Sequence, residues 1–118
     1  MKQLITIIVD DERLARKELQ SILAPYPEIN VVAEASTVHK AIEVIEKEKP
    51  DVVFLDIILR GGSGFDVLKK TALNFKVVFV TAFHKYAHQA KEANAVDFLL
   101  KPVHPDRLDE TMKRLFED

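Results

Sequence analysis

The 118 residues contain no cysteine, which excludes disulfides and thiolate metal sites and makes the fold independent of redox compartment. Glycine is scarce. All three glycines fall within four consecutive positions, Gly61, Gly62 and Gly64 around Ser63. No apolar run approaches the length of a membrane span. The apolar start is broken by Asp10, Asp11 and Glu12, which makes it a poor signal peptide. A cytoplasmic location with no membrane association is therefore expected. The formal charge of −2 gives no support for a nucleic-acid surface.

What is present suits one ordinary globular domain, expected to fill residues 1–118. Hydrophobic residues make up 47% and charged residues 31%. A chain of this length can build a core without staples.

The strongest local signal is Val52-Val53-Phe54-Leu55-Asp56. A continuous apolar run bounded by turn signals predicts a strand buried on both faces. Leu4 to Val9 predicts an earlier strand of the same kind, with Asp10-Asp11-Glu12 directly after it. A helix with Ala15, Leu19, Ile22 and Leu23 on one face runs to Pro25 and Pro27. Val31-Val32-Ala33 is a second, short strand. Ser36 can cap a helix bearing Val38, Ala41, Ile42 and Ile45. After Asp56 and the glycine loop, a short helix turns Val67 and Leu68 inward. Val77 to Val80 is the fourth strand and ends at Thr81. Phe83, Tyr86, Ala87 and Ala90 mark the fourth helix. Val96 to Leu100 is the fifth strand and ends at Lys101-Pro102. Pro105 opens a last helix that buries Leu108, Met112, Leu115 and Phe116. Five strands alternating with five helices predict an α/β fold with one parallel sheet covered on both faces.

In such a sheet all strand C-termini share one edge, where ligands bind. Asp10, Asp11, Asp56, Thr81 and Lys101 all fall there. The second strand delivers nothing comparable. Singly, each residue has a bland reading as a helix cap, a strand terminator or a surface group. Jointly they do not. Two carboxylates about 4 Å apart repel by roughly 4 kcal/mol at an effective dielectric near 20. Three acids on one edge are then a liability on the scale of a small domain's stability. One lysine offsets part of it, and a hard divalent cation offsets it better. Mg2+ suits carboxylates together with water and a phosphoryl oxygen. The cluster reads as a metal-plus-phosphoryl site with Asp56 as candidate nucleophile.

These residues carry a family resemblance. Asp10-Asp11, Asp56, Thr81-Ala82 and Lys101-Pro102, each after its strand and in this order, resemble the motif set of bacterial two-component response regulator receiver domains. The resemblance covers essentially the whole chain. The stretch FVTAFHKYAHQAKEANAVDFLLKP, Phe79 to Pro102, is similar to receivers of LytTR (LytR/AlgR-like) transcriptional regulators. The resemblance implies a flavodoxin-like (βα)5 fold with a parallel five-stranded sheet in the order 2-1-3-4-5, as in a chemotaxis receiver.

It further implies that Asp56 accepts a phosphoryl group from a phosphohistidine on a sensor histidine kinase. Asp10, Asp11, Asp56 and the backbone carbonyl of Ile58 would hold Mg2+. Lys101 would pair with one phosphoryl oxygen, and Thr81 would move to bond another. Phe98 would turn inward as Thr81 moves and alter the face made by helix 4, strand 5 and helix 5. The Lys101-Pro102 bond is expected to be cis and to aim the lysine inward. A homodimer on activation is implied. So is transcription regulation through a β-rich DNA-binding domain missing from this chain, which points to truncation rather than a stand-alone receiver.

Some positions depart from the family's common pattern. Arg60 replaces a frequent proline, so a more mobile loop after Asp56 is expected. Phe98 lacks the commoner tyrosine's hydroxyl, so the switch would rest on packing. Ile58 and Phe83 are apolar where attacking water would pass, which predicts slow self-dephosphorylation.

Other readings are weaker. Gly61-Gly62-Ser63-Gly64 lacks the lysine and spacing of a P-loop. His84 and His88, four apart on a helix, have no convergent third ligand, and His39 and His104 have no visible partners. A Mg2+-dependent phosphohydrolase is signalled by an acid where Ile58 stands. A phosphorylation-independent interaction module would lack one of the acids. Three acids on the ligand edge would repel an anionic flavodoxin-type cofactor. The leading reading is a switch that catalyses only its own phosphorylation and dephosphorylation, not an enzyme acting on an external substrate.

Overall fold

Val52–Leu55 is apolar without interruption because it lies at the centre of the sheet, and all four residues are buried. The computed structural model describes residues 3–72 and 74–117. Five strands form one parallel sheet: β1 (Leu4–Val9), β2 (Ile29–Ala35), β3 (Val52–Leu55), β4 (Lys76–Thr81) and β5 (Asp97–Leu100). Their order is β2-β1-β3-β4-β5, the expected 2-1-3-4-5. The helices are α1 (Arg13–Leu23), α2 (Val38–Glu48), α3 (Gly64–Lys69), α4 (Ala87–Glu92) and α5 (Pro105–Phe116).

Strand side chains alternate between two cores. Val52 and Phe54 join Ile8, Val78, Val80 and Leu99 beneath Leu19 and Leu23 of α1 and Leu108, Met112 and Leu115 of α5. Val53 and Leu55 join Ile7, Val9, Val77 and Phe79 beneath Ala41, Val44 and Ile45 of α2 and Val67 and Leu68 of α3. Burial of both faces accounts for the continuous apolar strands.

Four local expectations change. The α2 cap is Thr37, not Ser36, because the Thr37 hydroxyl accepts the Lys40 N–H at 3.0 Å. The fourth helix is short. A 3-10 turn at His84–Tyr86 precedes it, Phe83 is 49% exposed, and only Ala90 of the expected inward face is buried. Phe83 instead meets Tyr86 edge-on, and the Lys85 ammonium lies over both rings. Phe116 is 47% exposed, and Thr111 takes an inward place in α5. His104, without a visible partner in the sequence, accepts the Asp106 N–H on Nδ1 and caps α5.

The segment after Asp56, which carries Arg60 in place of the frequent proline, is bonded along its length. Ile58–Leu59 pairs with Gly62–Ser63 in a small antiparallel ribbon outside the main sheet. The Arg60 carbonyl accepts the Val38 N–H at 3.1 Å, linking the ribbon to α2. Ser63 and Asp66 form a capping box at α3. Gly61 and Gly62 supply the positive φ of the turn, 86° and 147°.

Candidate functional site

The strand order reverses between β1 and β3, so the C-terminal ends of these neighbouring strands meet at the switch point of the sheet. Asp10 comes directly after β1 and Asp56 directly after β3. Main-chain bonds continue the ladder to both: Asp10 N–H donates to the Ala35 carbonyl at 3.0 Å, and Asp56 N–H to the Val9 carbonyl at 2.9 Å. On the other flank, Thr81 ends β4 and accepts the Lys101 N–H on its carbonyl at 2.8 Å. The Lys101–Pro102 peptide is cis, as the resemblance implied.

The structure brings the acids together. Asp10, Asp11 and Asp56 each offer a carboxylate oxygen, and these lie within 4.8 Å of one another. Lys101 Nζ sits 2.6 Å from Asp10 Oδ2 and 2.8 Å from Asp56 Oδ2, with Glu12 at 3.7 Å. Asp10 and Asp56 side chains are each only 7% exposed. Neither Asp10 nor Asp11 is the cap of α1. That position belongs to Glu12, whose N–H donates to Asp10 Oδ1 at 2.9 Å. The hard oxygen donors, closely spaced and largely buried, fit a hard divalent cation.

Burial pushes the Asp56 carboxyl up. The Lys101 ammonium and the Ile57 N–H, 2.7 Å from Asp56 Oδ1, hold it down in part, and Asp10 adds to the rise. Burial acts to lower Lys101, but its bonds to Asp10 and Asp56 outweigh that and raise it. Lys101 is thus a fixed positive charge between two acids. Thr81 is fully buried, and its hydroxyl is the one buried side-chain polar atom without a hydrogen-bond partner among the described residues. An orphaned hydroxyl costs about 1–3 kcal/mol, so its place beside the cluster calls for a functional account.

Phe98 is half-buried on β5, packed against the α2–α3 core. Ile58 and Phe83 are 44% and 49% exposed.

The sequence did not single out Gly64. A Cβ there would lie 2.4 Å from the Asp56 carbonyl oxygen and 3.1 Å from Leu55 Cγ. Gly64 is therefore what lets α3 start against the phosphoacceptor candidate's own main chain, with its N–H on the Ile57 carbonyl at 2.8 Å. Gly64→Ala is expected to cost about 1–3 kcal/mol by overpacking and to displace the Asp56 peptide. A thermal melt reads this directly, and an unchanged midpoint would show that the backbone yields freely.

The amino-acid sequence matches the response regulator receiver domain over residues 6–113. The chain belongs to the response regulator receiver domain family. It is 43% identical over 111 residues to the sensory transduction protein LytT of Bacillus anthracis, covering 92% of this chain and 45% of that protein. It is 46% identical over 114 residues to an uncharacterized response regulatory protein of Vibrio cholerae, covering 95% of this chain and 48% of that protein. Among solved structures, the receiver domain of AraT, a response regulator from Geobacillus stearothermophilus, superposes with a TM-score of 0.85 at 28% identity. That match covers 95% of this chain and 92% of the other. The resemblance to LytT-type regulators and the flavodoxin-like receiver fold are both borne out. The chain spans less than half the length of these two curated relatives. Receiver domains work in two-component signalling with sensor kinases, and in general use Mg2+ at their acidic site. No described helix is long and apolar enough to cross a membrane.

Proposed function

We propose that this receiver domain is a phosphoacceptor switch in which Asp56 takes a phosphoryl group from the phosphohistidine of a sensor kinase. The carrying observation is the meeting of three carboxylates within 4.8 Å, two of them, Asp10 and Asp56, bridged by Lys101, at the sheet edge that also holds an unpartnered buried Thr81 hydroxyl. An Asp56 oxygen would attack phosphorus, forming the acyl phosphate P–O bond as the P–N bond breaks and the histidine leaves. Burial raises the basicity of that oxygen. Mg2+, held by Asp10, Asp11, Asp56 and the Ile58 carbonyl, would supply countercharge to the phosphoryl oxygens. Lys101 would turn from Asp56 to a phosphoryl oxygen, and Thr81 would donate its free hydroxyl to another. The domain would act only on itself and turn over no external substrate.

A groove of about 560 Å³ between α1 and Pro102–Val103 opens beside Asp10 and Lys101, with Leu14 67% exposed at its rim. It gives the donor kinase an apolar approach to the site from the cytoplasm, where such a switch would work. Movement of Thr81 would let Phe98 pack further inward and reshape the α4–β5–α5 face. Leu100, on the edge strand β5, is 46% exposed on that face and suits a homodimer on activation. Control of transcription would then pass to a DNA-binding domain outside this chain.

Intact mass after incubation with acetyl phosphate and Mg2+ tests the assignment. The wild type should gain one phosphoryl group, and Asp56→Asn none. An adduct on the variant, or on neither protein, overturns it. The phosphorylated sample should sediment as a dimer, and a monomer at every concentration would discard that part.

The exposed Ile58 and Phe83 side chains, two residues after Asp56 and Thr81, would flank the approach to Asp56, where apolar groups position attacking water poorly. The phosphoryl group should therefore persist for minutes or longer, and Ile58→Glu should shorten its life. Decay of the adduct measured by mass spectrometry decides this, since a wild-type half-life of seconds contradicts it.

A further inference from the structure

β2 sends no side chain into the acidic cluster, yet it reaches the cluster through one arginine. Arg16, one turn into α1, donates from Nη1 to the Asp10 carbonyl at 2.7 Å and from Nε to Glu34 Oε1 at 2.8 Å. Its side chain is 16% exposed, so the guanidinium lies mostly beneath the surface. The Asp10 N–H meanwhile donates to the Ala35 carbonyl at 3.0 Å. Both polar main-chain groups of Asp10 are thus tied to β2, one directly and one through Arg16 and Glu34.

An irregularity in β2 makes this possible. Thr6 pairs with Val31, but Ile7 pairs with Ala33, so Val32 is skipped. A one-residue slip exchanges the faces of every later residue in the strand. Ile29 and Val31 pack on the α1 side, whereas Ala33 and Ala35 pack on the opposite side. Glu34, paired with Ile8, therefore returns to the α1 side, where Arg16 meets it. Without the bulge Glu34 would face α2.

We propose that Arg16, anchored by Glu34, is a positioning residue for the acidic pair. It fixes the plane of the Asp10–Asp11 peptide and hence the spacing at which both carboxylates meet the divalent cation. Partners of this kind, which orient metal ligands without touching the ion, commonly govern affinity. A guanidinium offers several donors in one plane and can bridge a carbonyl and a carboxylate, which an ammonium on a flexible stem does poorly. This inference rests on the reading of Asp10, Asp11 and Asp56 as a Mg2+ site.

The test is Mg2+ affinity by isothermal titration calorimetry, without phosphodonor, on wild type, Arg16→Met, Arg16→Lys and Glu34→Gln. Arg16→Met should weaken Mg2+ binding about tenfold. Arg16→Lys should not restore it, and Glu34→Gln should show a smaller loss in the same direction. The phosphorylation rate at saturating Mg2+ should stay within about twofold of wild type, because the loss lies in occupancy. Folded Arg16→Met with wild-type affinity, or full rescue by lysine, overturns the inference while leaving the Mg2+ reading intact. Should Arg16→Met fail to fold, unchanged affinity in both other variants overturns it. A wild type that takes up phosphate yet binds no Mg2+ would remove the underlying reading, and the inference with it.

Discussion

Replacing Lys101 with methionine should slow phosphorylation of Asp56 by roughly 10²–10³-fold and destabilise the cation-free domain by about 3–5 kcal/mol. Methionine keeps much of the unbranched stem, so packing changes little and the charge is what goes. The ammonium lies 2.6 Å and 2.8 Å from two carboxylates that are each 7% exposed. Its loss leaves those charges buried and facing each other, with Asp11 close by. Mg2+ should return much of the lost stability, because a divalent cation neutralises the same oxygens. It should not return the rate, because the lysine's proposed place on a phosphoryl oxygen stays vacant. Chemical denaturation with EDTA and with Mg2+, alongside acetyl phosphate kinetics, separates the two effects. A variant as stable as wild type in EDTA would show that the three acids do not need this countercharge. A rate restored by Mg2+ alone would remove Lys101 from phosphoryl transfer.

The polar edge of the sheet was legible because it depends on strand periodicity and on the residue that ends each strand. Asp10, Asp56, Thr81 and Lys101 each sit where an apolar run stops, and parallel pairing does the rest. The features that the sequence concealed depend on relations between distant segments. Nothing near Arg16 marks Glu34 as its partner, since their meeting arises from a bulge at Val32 inside an unbroken apolar run. Gly64 looked like one of several loop glycines, and its special role appears only when the Asp56 carbonyl is seen against it. The fourth helix misled because an aromatic and alanine spacing that fits one helical face belongs to a 3-10 turn and a short helix, so Tyr86 packs on the core while Phe83 and Ala87 stay exposed. Nothing in the sequence set Asp97 apart from the rest of the fifth strand, although it is among the most heavily bonded side chains of the described residues.

Asp97→Asn should destabilise the domain by about 3 kcal/mol, lowering its melting midpoint by roughly 10 °C or more. The Asp97 side chain is 2% exposed. It accepts from Arg107 Nη1 at 2.9 Å and Nη2 at 2.7 Å, from Arg114 Nη1 at 2.7 Å and from the Thr111 hydroxyl at 2.7 Å. It also accepts its neighbour Phe98 N–H at 2.8 Å. One carboxylate therefore clamps β5 to α5 beside the proposed switch aromatic. An asparagine keeps the shape but turns donors toward two guanidinium groups. Burial acts to raise the Asp97 carboxyl, but Arg107, Thr111 and the Phe98 N–H together overcome it and leave it below its usual value. A carboxyl held lower in the folded state than in the unfolded one stabilises above the unfolded pKa, near 3.9, and loses that contribution as pH falls through the folded pKa. The stability gap between wild type and Asp97→Asn should be flat above about pH 5 and close progressively below about pH 4. Asp56, pushed up by burial, has the opposite sign of linkage. It is common to both proteins, so the difference isolates Asp97. Denaturant titrations of the pair from neutral to acid pH provide the measurement. A gap that does not change with pH would mean that shape, not charge, holds β5 to α5.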